Sequence, residues 1–209
     1  MEAVIFTVIV LILSVVVHEV AHGWAANALG DPTARLQGRL TLNPVKHVDP
    51  VGSVLIPGLL VLTNSGLLFG WAKPVPYNPF NLKNQRWGEA IVGVAGVATN
   101  LLIAGVFALL TRFAASNGME AFAGFAAIVV LVNLSLGLFN LIPVPPLDGY
   151  TVLRGILPYR MSLSLRAFED RMLAGGILSL VVFLFVFSYF FAAPFGAFIR
   201  SVFALLVGI

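Results

Sequence analysis

Along the 209 residues, long apolar runs alternate with short polar stretches. The apolar runs lie at about 3–28, 51–70, 88–112, 121–142, 172–192 and 195–209, the last of them short. A spanning helix needs roughly 20 apolar residues. The pattern therefore predicts an all-α polytopic membrane protein with about five or six transmembrane helices. The first run has no basic leader and passes straight into HEVAH (18–22), so it reads as a retained helix and not a removed signal peptide. Between the runs, the period changes. RLQGRLTLN (35–43) alternates Leu36, Leu40 and Leu42 with Gln37, Arg39 and Thr41, which predicts a short β element at the membrane surface. KPVPYNPFN (73–81) cannot be helix and reads as an ordered surface loop.

Composition fits one membrane-embedded domain over 1–209 and no sizeable soluble one. Hydrophobic residues make up 59% of the chain, charged residues 10%, and mean hydropathy is +0.99. The net charge of +3 is informative through its placement. Ten of the twelve Lys and Arg fall on the stretches 35–50, 71–87 and 154–171, leaving only Arg112 and Arg200. Those three stretches are expected on the cytoplasmic side, and nucleic acid is not an expected partner. With no Cys, the strong metal ligands available are His, Asp and Glu.

The first apolar run carries an anomaly. Ala3 to Val17 contains no charge, yet His18, Glu19 and His22 follow at once in the same predicted helix. Ionisable groups within a span are costly, about 2.5 kcal/mol or more each for Asp, Lys or Arg, and are functional by default. His18 and His22, four residues apart, project from one helix face and can share a metal ion. Glu19 sits beside them without being a ligand and is placed to act as general base. H-E-x-x-H on a helix is the zinc-peptidase arrangement.

A catalytic zinc needs a third protein ligand. His47, in NPVKHVDP, reads as a surface or interfacial histidine. Among the acids, Asp148 alone follows an apolar run inside a rigid motif, FNLIPVPPLDGY (139–150). A ligand and an N-cap for the helix DGYTVLRGIL are both open readings of it.

The chain resembles the site-2 protease family of intramembrane zinc metalloproteases, in its short prokaryotic branch without a PDZ domain. HEVAH (18–22) and NLIPVPPLDG (140–149) resemble the family's two metal motifs, and TLNPVKHVDPVGSVLIP (41–57) and FGWAKPVPYNP (69–79) resemble stretches typical of that branch. The resemblance implies Zn2+ bound by His18, His22 and Asp148, Glu19 as general base and Asn140 as a polar partner of substrate or tetrahedral intermediate. The family's G-P-x-x-N appears as GVATN (96–100), with Val97 in place of proline. That departure bears on a local helix distortion. Asn100 is expected either to face the active site or to bond a neighbouring helix.

The expected activity is hydrolysis of a peptide bond in or near a substrate's transmembrane segment, by regulated intramembrane proteolysis or signal-peptide clearance. Expected partners are single-span membrane proteins or signal peptides and the lipid bilayer, and the expected location is the prokaryotic inner membrane with the active site toward the cytoplasm. Leu40, Thr41 and Leu42, on the strand edge, are candidates to pair with an unwound substrate; a hairpin that only covers the site is the alternative. A silent membrane scaffold or a metal transporter could use the same ligands, but transporters usually carry repeated halves, and none stands out here.

Shared zinc also constrains topology. His18 and His22 lie near the C-terminal end of the first helix and Asp148 follows the end of run 121–142, so both helices must run the same way. With 88–112 crossing once between them, run 51–70 must cross zero times or twice. Pro57, Gly58 and TNSG (63–66) interrupt it and predict a broken, re-entrant segment.

Overall fold

In a computed structural model, which describes residues 1–55, 62 and 71–208, the chain is helical wherever it is regular, and no strand forms among the described residues. The first helix, α1, spans Glu2–Ala28. Its uninterrupted apolar stretch satisfies every backbone group internally, which a bilayer demands. Gly30, at φ 105°, then turns the chain into a conformation that favours glycine.

Asp31 follows that turn, buried, and gathers two distant pieces of chain. Its Oδ1 accepts from the Thr33 hydroxyl at 2.6 Å and Asn81 Nδ2 at 2.9 Å, and its Oδ2 accepts from the Asn78 N–H at 2.6 Å. Lys83 N–H donates to Leu29 O at 2.8 Å beside it. The chain therefore returns at 78–83 to the end of α1 that it left at 29–33. The breakpoints predicted for the re-entrant segment, Pro57, Gly58 and 63–66, lie outside the described residues.

The predicted β element does not form. Thr33–Leu36 makes one helical turn, α2, and Gly38, at φ 62°, ends it. Residues 39–43 are non-helical but unladdered. Side chains anchor them instead: the buried Arg39 donates from Nη2 to Lys73 O at 2.8 Å, and His47 Nε2 donates to Thr41 O at 2.9 Å. His47, read as a surface or interfacial residue, is buried, because the chain folds back over it at Lys73, whose N–H donates to His47 O.

Helices α3 (Gly88–Ser116) and α4 (Glu120–Asn140) form an antiparallel hairpin around Gly118. Phe6 of α1 packs edge-to-face on Phe125 near the start of α4, with ring centroids 4.8 Å apart, while His18 and Asn133 meet Asn100 further along. Helices α1 and α4 thus run the same way, as shared zinc requires. Small residues permit the close approach: Ala104 and Ala108 of α3 pack with Val130 and Leu134 of α4. Despite Val97, α3 is regular α-helix throughout 88–116, without the local distortion that a proline there would bring.

Beyond α4, residues 141–147 carry three prolines and form no helix, and α5 (Asp148–Ile156) folds back against α3. The charged stretch 154–171 holds a further helix, α6 (Tyr159–Ala174), with half its length in charged or polar residues. The two C-terminal apolar runs join into one continuous helix over 176–207: α7 (Gly176–Val186), a π turn at Phe187–Phe191 and α8 (Ala192–Val207). Pro194 interrupts little, because it falls in the first turn after the π turn, where its missing N–H costs least. Among the described residues, four helices are long and apolar enough to cross a membrane: Glu2–Ala28, Gly88–Ser116, Glu120–Asn140 and Val181–Val207.

Candidate metal centre

Helical spacing brings His18 and His22 together on the face of α1 that meets α3. Their Nε2 atoms are 3.1 Å apart, and Asp148 Oδ2 lies 2.9 Å from the first and 3.2 Å from the second. Both histidines are buried, and Asp148 is largely so. Asp148 is not a cap: Leu147 occupies the N-cap position, no side chain caps the helix, and the carboxylate turns inward from the first residue of α5.

The partners of the outer ring nitrogens fix what the inner ones are. His22 Nδ1 is 2.7 Å from Val92 O, a carbonyl that can only accept, so Nδ1 carries the hydrogen. His18 Nδ1 donates to Asn100 Oδ1 at 2.5 Å. In the neutral rings both Nε2 lone pairs then point at one carboxylate oxygen, which is buried and has no hydrogen-bond donor. Three acceptors at 2.9–3.2 Å repel one another unless a cation lies among them. A tetrahedral zinc with ligands at about 2.0–2.1 Å separates them by about 3.3 Å, close to the observed triangle. The donor set fits zinc.

Two glycines make the triangle possible. A Cβ on Gly96 would lie 2.5 Å from His22 Nε2 and 2.7 Å from His18 Cε1, and one on Gly149 would lie 2.1 Å from Leu141 O. Gly96 lets α3 lie flat against the imidazoles; Gly149 lets α5 start directly under the proline loop.

Glu19 is half-buried beside the triangle. Its Oε2 accepts from the Val75 N–H at 2.8 Å. Pro74 and Pro76 have no N–H, so this stretch of the loop offers Glu19 a single backbone donor. Val75 and Leu40 both close on Gly23 of α1, where an added Cβ would lie 2.6–2.7 Å from them. Leu40 is therefore packed against α1, whereas Leu42 is exposed and Thr41 half-buried.

Asn100 is fully buried. Besides meeting His18, its Nδ2 donates to Asn133 Oδ1 at 2.8 Å. It thus supports a ligand from a neighbouring helix, and its amide presents no open surface to a substrate. Asn140 is half-buried and donates one N–H to Leu136 O at 3.0 Å within its own helix. Sequence reasoning missed Asn133 and the Val92 carbonyl. An Asn inside an apolar run was the available signal for the first; a backbone carbonyl leaves none.

Comparison with known proteins agrees with this chemistry. The profile of peptidase family M50 matches residues 112–184. The "Putative zinc metalloprotease YwhC" of Bacillus subtilis (strain 168) is 42% identical over 160 residues, covering 73% of this chain and 69% of that protein. The "Putative zinc metalloprotease Rip2" of Mycolicibacterium smegmatis is 30% identical over 142 residues, 68% of this chain and 53% of that protein. The "Zinc metalloprotease MJ0392" of Methanocaldococcus jannaschii is 29% identical over 199 residues, 90% of this chain and 47% of that protein. No solved structure matches the chain.

Proposed function

Because this chain belongs to peptidase family M50, we propose that residues 1–209 form one membrane-embedded unit that hydrolyses peptide bonds within or near the transmembrane segments of other membrane proteins or signal peptides. The observation that carries the proposal is the convergence of two imidazole nitrogens and a carboxylate oxygen beside a further carboxylate, Glu19, which the Val75 N–H holds, toward the end of a spanning helix. His18, His22 and Asp148 would hold zinc, which when bound would supply Lewis-acid chemistry to the scissile carbonyl. Glu19, held through Oε2 by Val75, is placed to take a proton from the attacking water and pass it to the leaving amine. Asn140 keeps a second N–H free of its bond to Leu136 O, available to developing negative charge on the substrate oxygen. Leu42 and Thr41, on the non-helical chain above the site and backed by Leu40, meet an unwound substrate.

The test is co-expression of the full chain with a library of tagged single-span membrane proteins. Cleavage products should appear with the wild type and vanish when His22 is replaced by Phe. Thr41→Pro, which removes a backbone donor, should lower cleavage more than Thr41→Val if that chain pairs with substrate. An absence of products across the whole library, from protein that carries zinc, would count against proteolysis.

We also propose that the site opens to the cytoplasm of a prokaryotic cell. The support is the tie between 29–33 and 78–83 at one end of α1, together with the Lys and Arg on both flanks. Cysteines introduced singly at residues 48 and 84 of this Cys-free chain should react with an impermeant maleimide only from the cytoplasmic face. Labelling of the two from opposite faces would overturn the arrangement.

A further inference from the structure

Asn133 lies on α4, 1% exposed, and reaches His18 only through Asn100 of α3. Nothing in the proposed chemistry uses it. Its Nδ2 is 3.0 Å from Val129 O, its Oδ1 is 2.8 Å from Asn100 Nδ2, and Asn100 Oδ1 is 2.5 Å from His18 Nδ1.

Chemistry gives this row of contacts one direction. Val129 O is a carbonyl and can only accept, so the Asn133 atom facing it must be the amide nitrogen. The Asn133 oxygen then faces Asn100, which must present its own nitrogen. Ser14 O, at 3.4 Å from Asn100 Nδ2, is a weaker second acceptor on the same side, so the 2.8 Å bond to Asn133 carries the orientation. Asn100 is left with its oxygen toward His18, and an oxygen there accepts only if His18 Nδ1 bears hydrogen. Were Asn100 reversed, its NH2 would call for a lone pair on Nδ1, and the ring's hydrogen would move to Nε2, the atom that faces His22 and Asp148.

We infer that Asn133 is a positioning residue that fixes the metal-binding tautomer of His18 through Asn100. The inference rests on the reading of His18 as a zinc ligand. An amide chain buried among apolar helices suits the task, because no water competes to reverse it, and each amide has its partners within reach. Outer partners that set a ligating histidine's tautomer typically matter ten- to a hundredfold in metal affinity.

The experiment uses the full chain, labelled with 15N-histidine and purified in detergent, with zinc chloride as probe. Zinc affinity is measured by competition with a chromogenic chelator, and the His18 nitrogens are observed by 15N correlation and assigned by their loss in His18→Gln. In the zinc-free wild type, His18 Nδ1 should carry hydrogen. Asn133→Leu, similar in size but without an acceptor, should weaken zinc binding roughly tenfold and reveal a population with bare Nδ1. Asn133→Asp, which as the protonated acid can donate to Val129 O and accept from Asn100, should restore both readouts to near wild type. Wild-type affinity with fully protonated Nδ1 in Asn133→Leu would overturn the inference, as would equal weakening in the Leu and Asp variants, which would mark a packing role. If Asn133→Leu does not fold, a bare Nδ1 in the zinc-free wild type overturns it alone. Unchanged zinc binding in His18→Gln would instead overturn the ligand reading beneath it.

Discussion

Gly96→Ala is expected to abolish zinc binding and proteolysis together, although it adds one methyl group to a residue that is not a ligand. The added carbon would sit 2.5 Å from His22 Nε2 and 2.7 Å from Cε1 of both His18 and His22. Neither ring can retreat easily. His22 is held by Val92 O on the same helix as Gly96, and His18 by the buried Asn100 one turn further along. Something must move, and every movement separates the three ligand atoms. As a helix residue alanine is better than glycine by roughly 0.5–1 kcal/mol, so loss of α3 itself is not the expected cause. The effect on zinc affinity should exceed about a hundredfold, the upper end for changes outside the ligands themselves. Gly105→Ala is the control on the same helix, since a Cβ there meets nothing within 4 Å. It should keep both metal and activity. Normal zinc content in Gly96→Ala would show that the helices can part without cost and that the tight fit at this glycine is not what assembles the site.

The site was legible from sequence where its chemistry is carried by side chains at fixed local spacing. His18, Glu19 and His22 follow from helical periodicity and from the cost of placing them in an apolar run, and the convergence of Asp148 on them agrees with the second motif. What escaped reading depends on contacts between distant helices. GVATN holds both Gly96, which makes room for the rings, and Asn100, which holds one of them, yet their partners lie 74 to 82 positions away in α1. Asn100 could be read as facing the site or as bonded to a neighbouring helix; in the structure it bonds His18 of α1 and Asn133 of α4.

The fold was legible to the same degree. Long apolar runs gave α1, α3 and α4, because in a bilayer a spanning segment has little choice but helix. Around the surface, where water can satisfy the backbone, the pattern misled. The alternation at 35–43 is real, but Gly38 breaks the chain and Arg39 turns inward to Lys73 O, so side-chain anchoring replaces the ladder. The charged stretch 154–171 marks a surface position and conceals α6. The apolar runs 172–192 and 195–209 read as separate, yet they join through the π turn into one helix that also holds Pro194.

Glu19→Gln should separate the two halves of the site's chemistry, leaving zinc in place and removing the reaction. Glu19 is not among the atoms that converge on the metal position, so replacing it changes no ligand. Glutamine also keeps the local structure. Its side-chain oxygen can still accept from the Val75 N–H, which at 2.8 Å is the contact that fixes the carboxylate now. The loop, the two flanking prolines and the packing of Val75 against Gly23 therefore have no reason to shift. What glutamine lacks is a basic lone pair able to take a proton from water and return it to the leaving amine. Positioned general acid–base groups contribute about a hundred- to ten-thousandfold to rate, and the loss should fall in that range and in kcat. The purified variant should carry about one zinc per chain, as the wild type does, measured by elemental analysis beside cleavage of a substrate taken from the co-expression library. Chelation should silence the wild type, and added zinc should restore it but do nothing for Glu19→Gln. A variant that keeps its zinc and cleaves at the wild-type rate would remove Glu19 from the mechanism. One that loses zinc as well would make Glu19 part of what holds the metal.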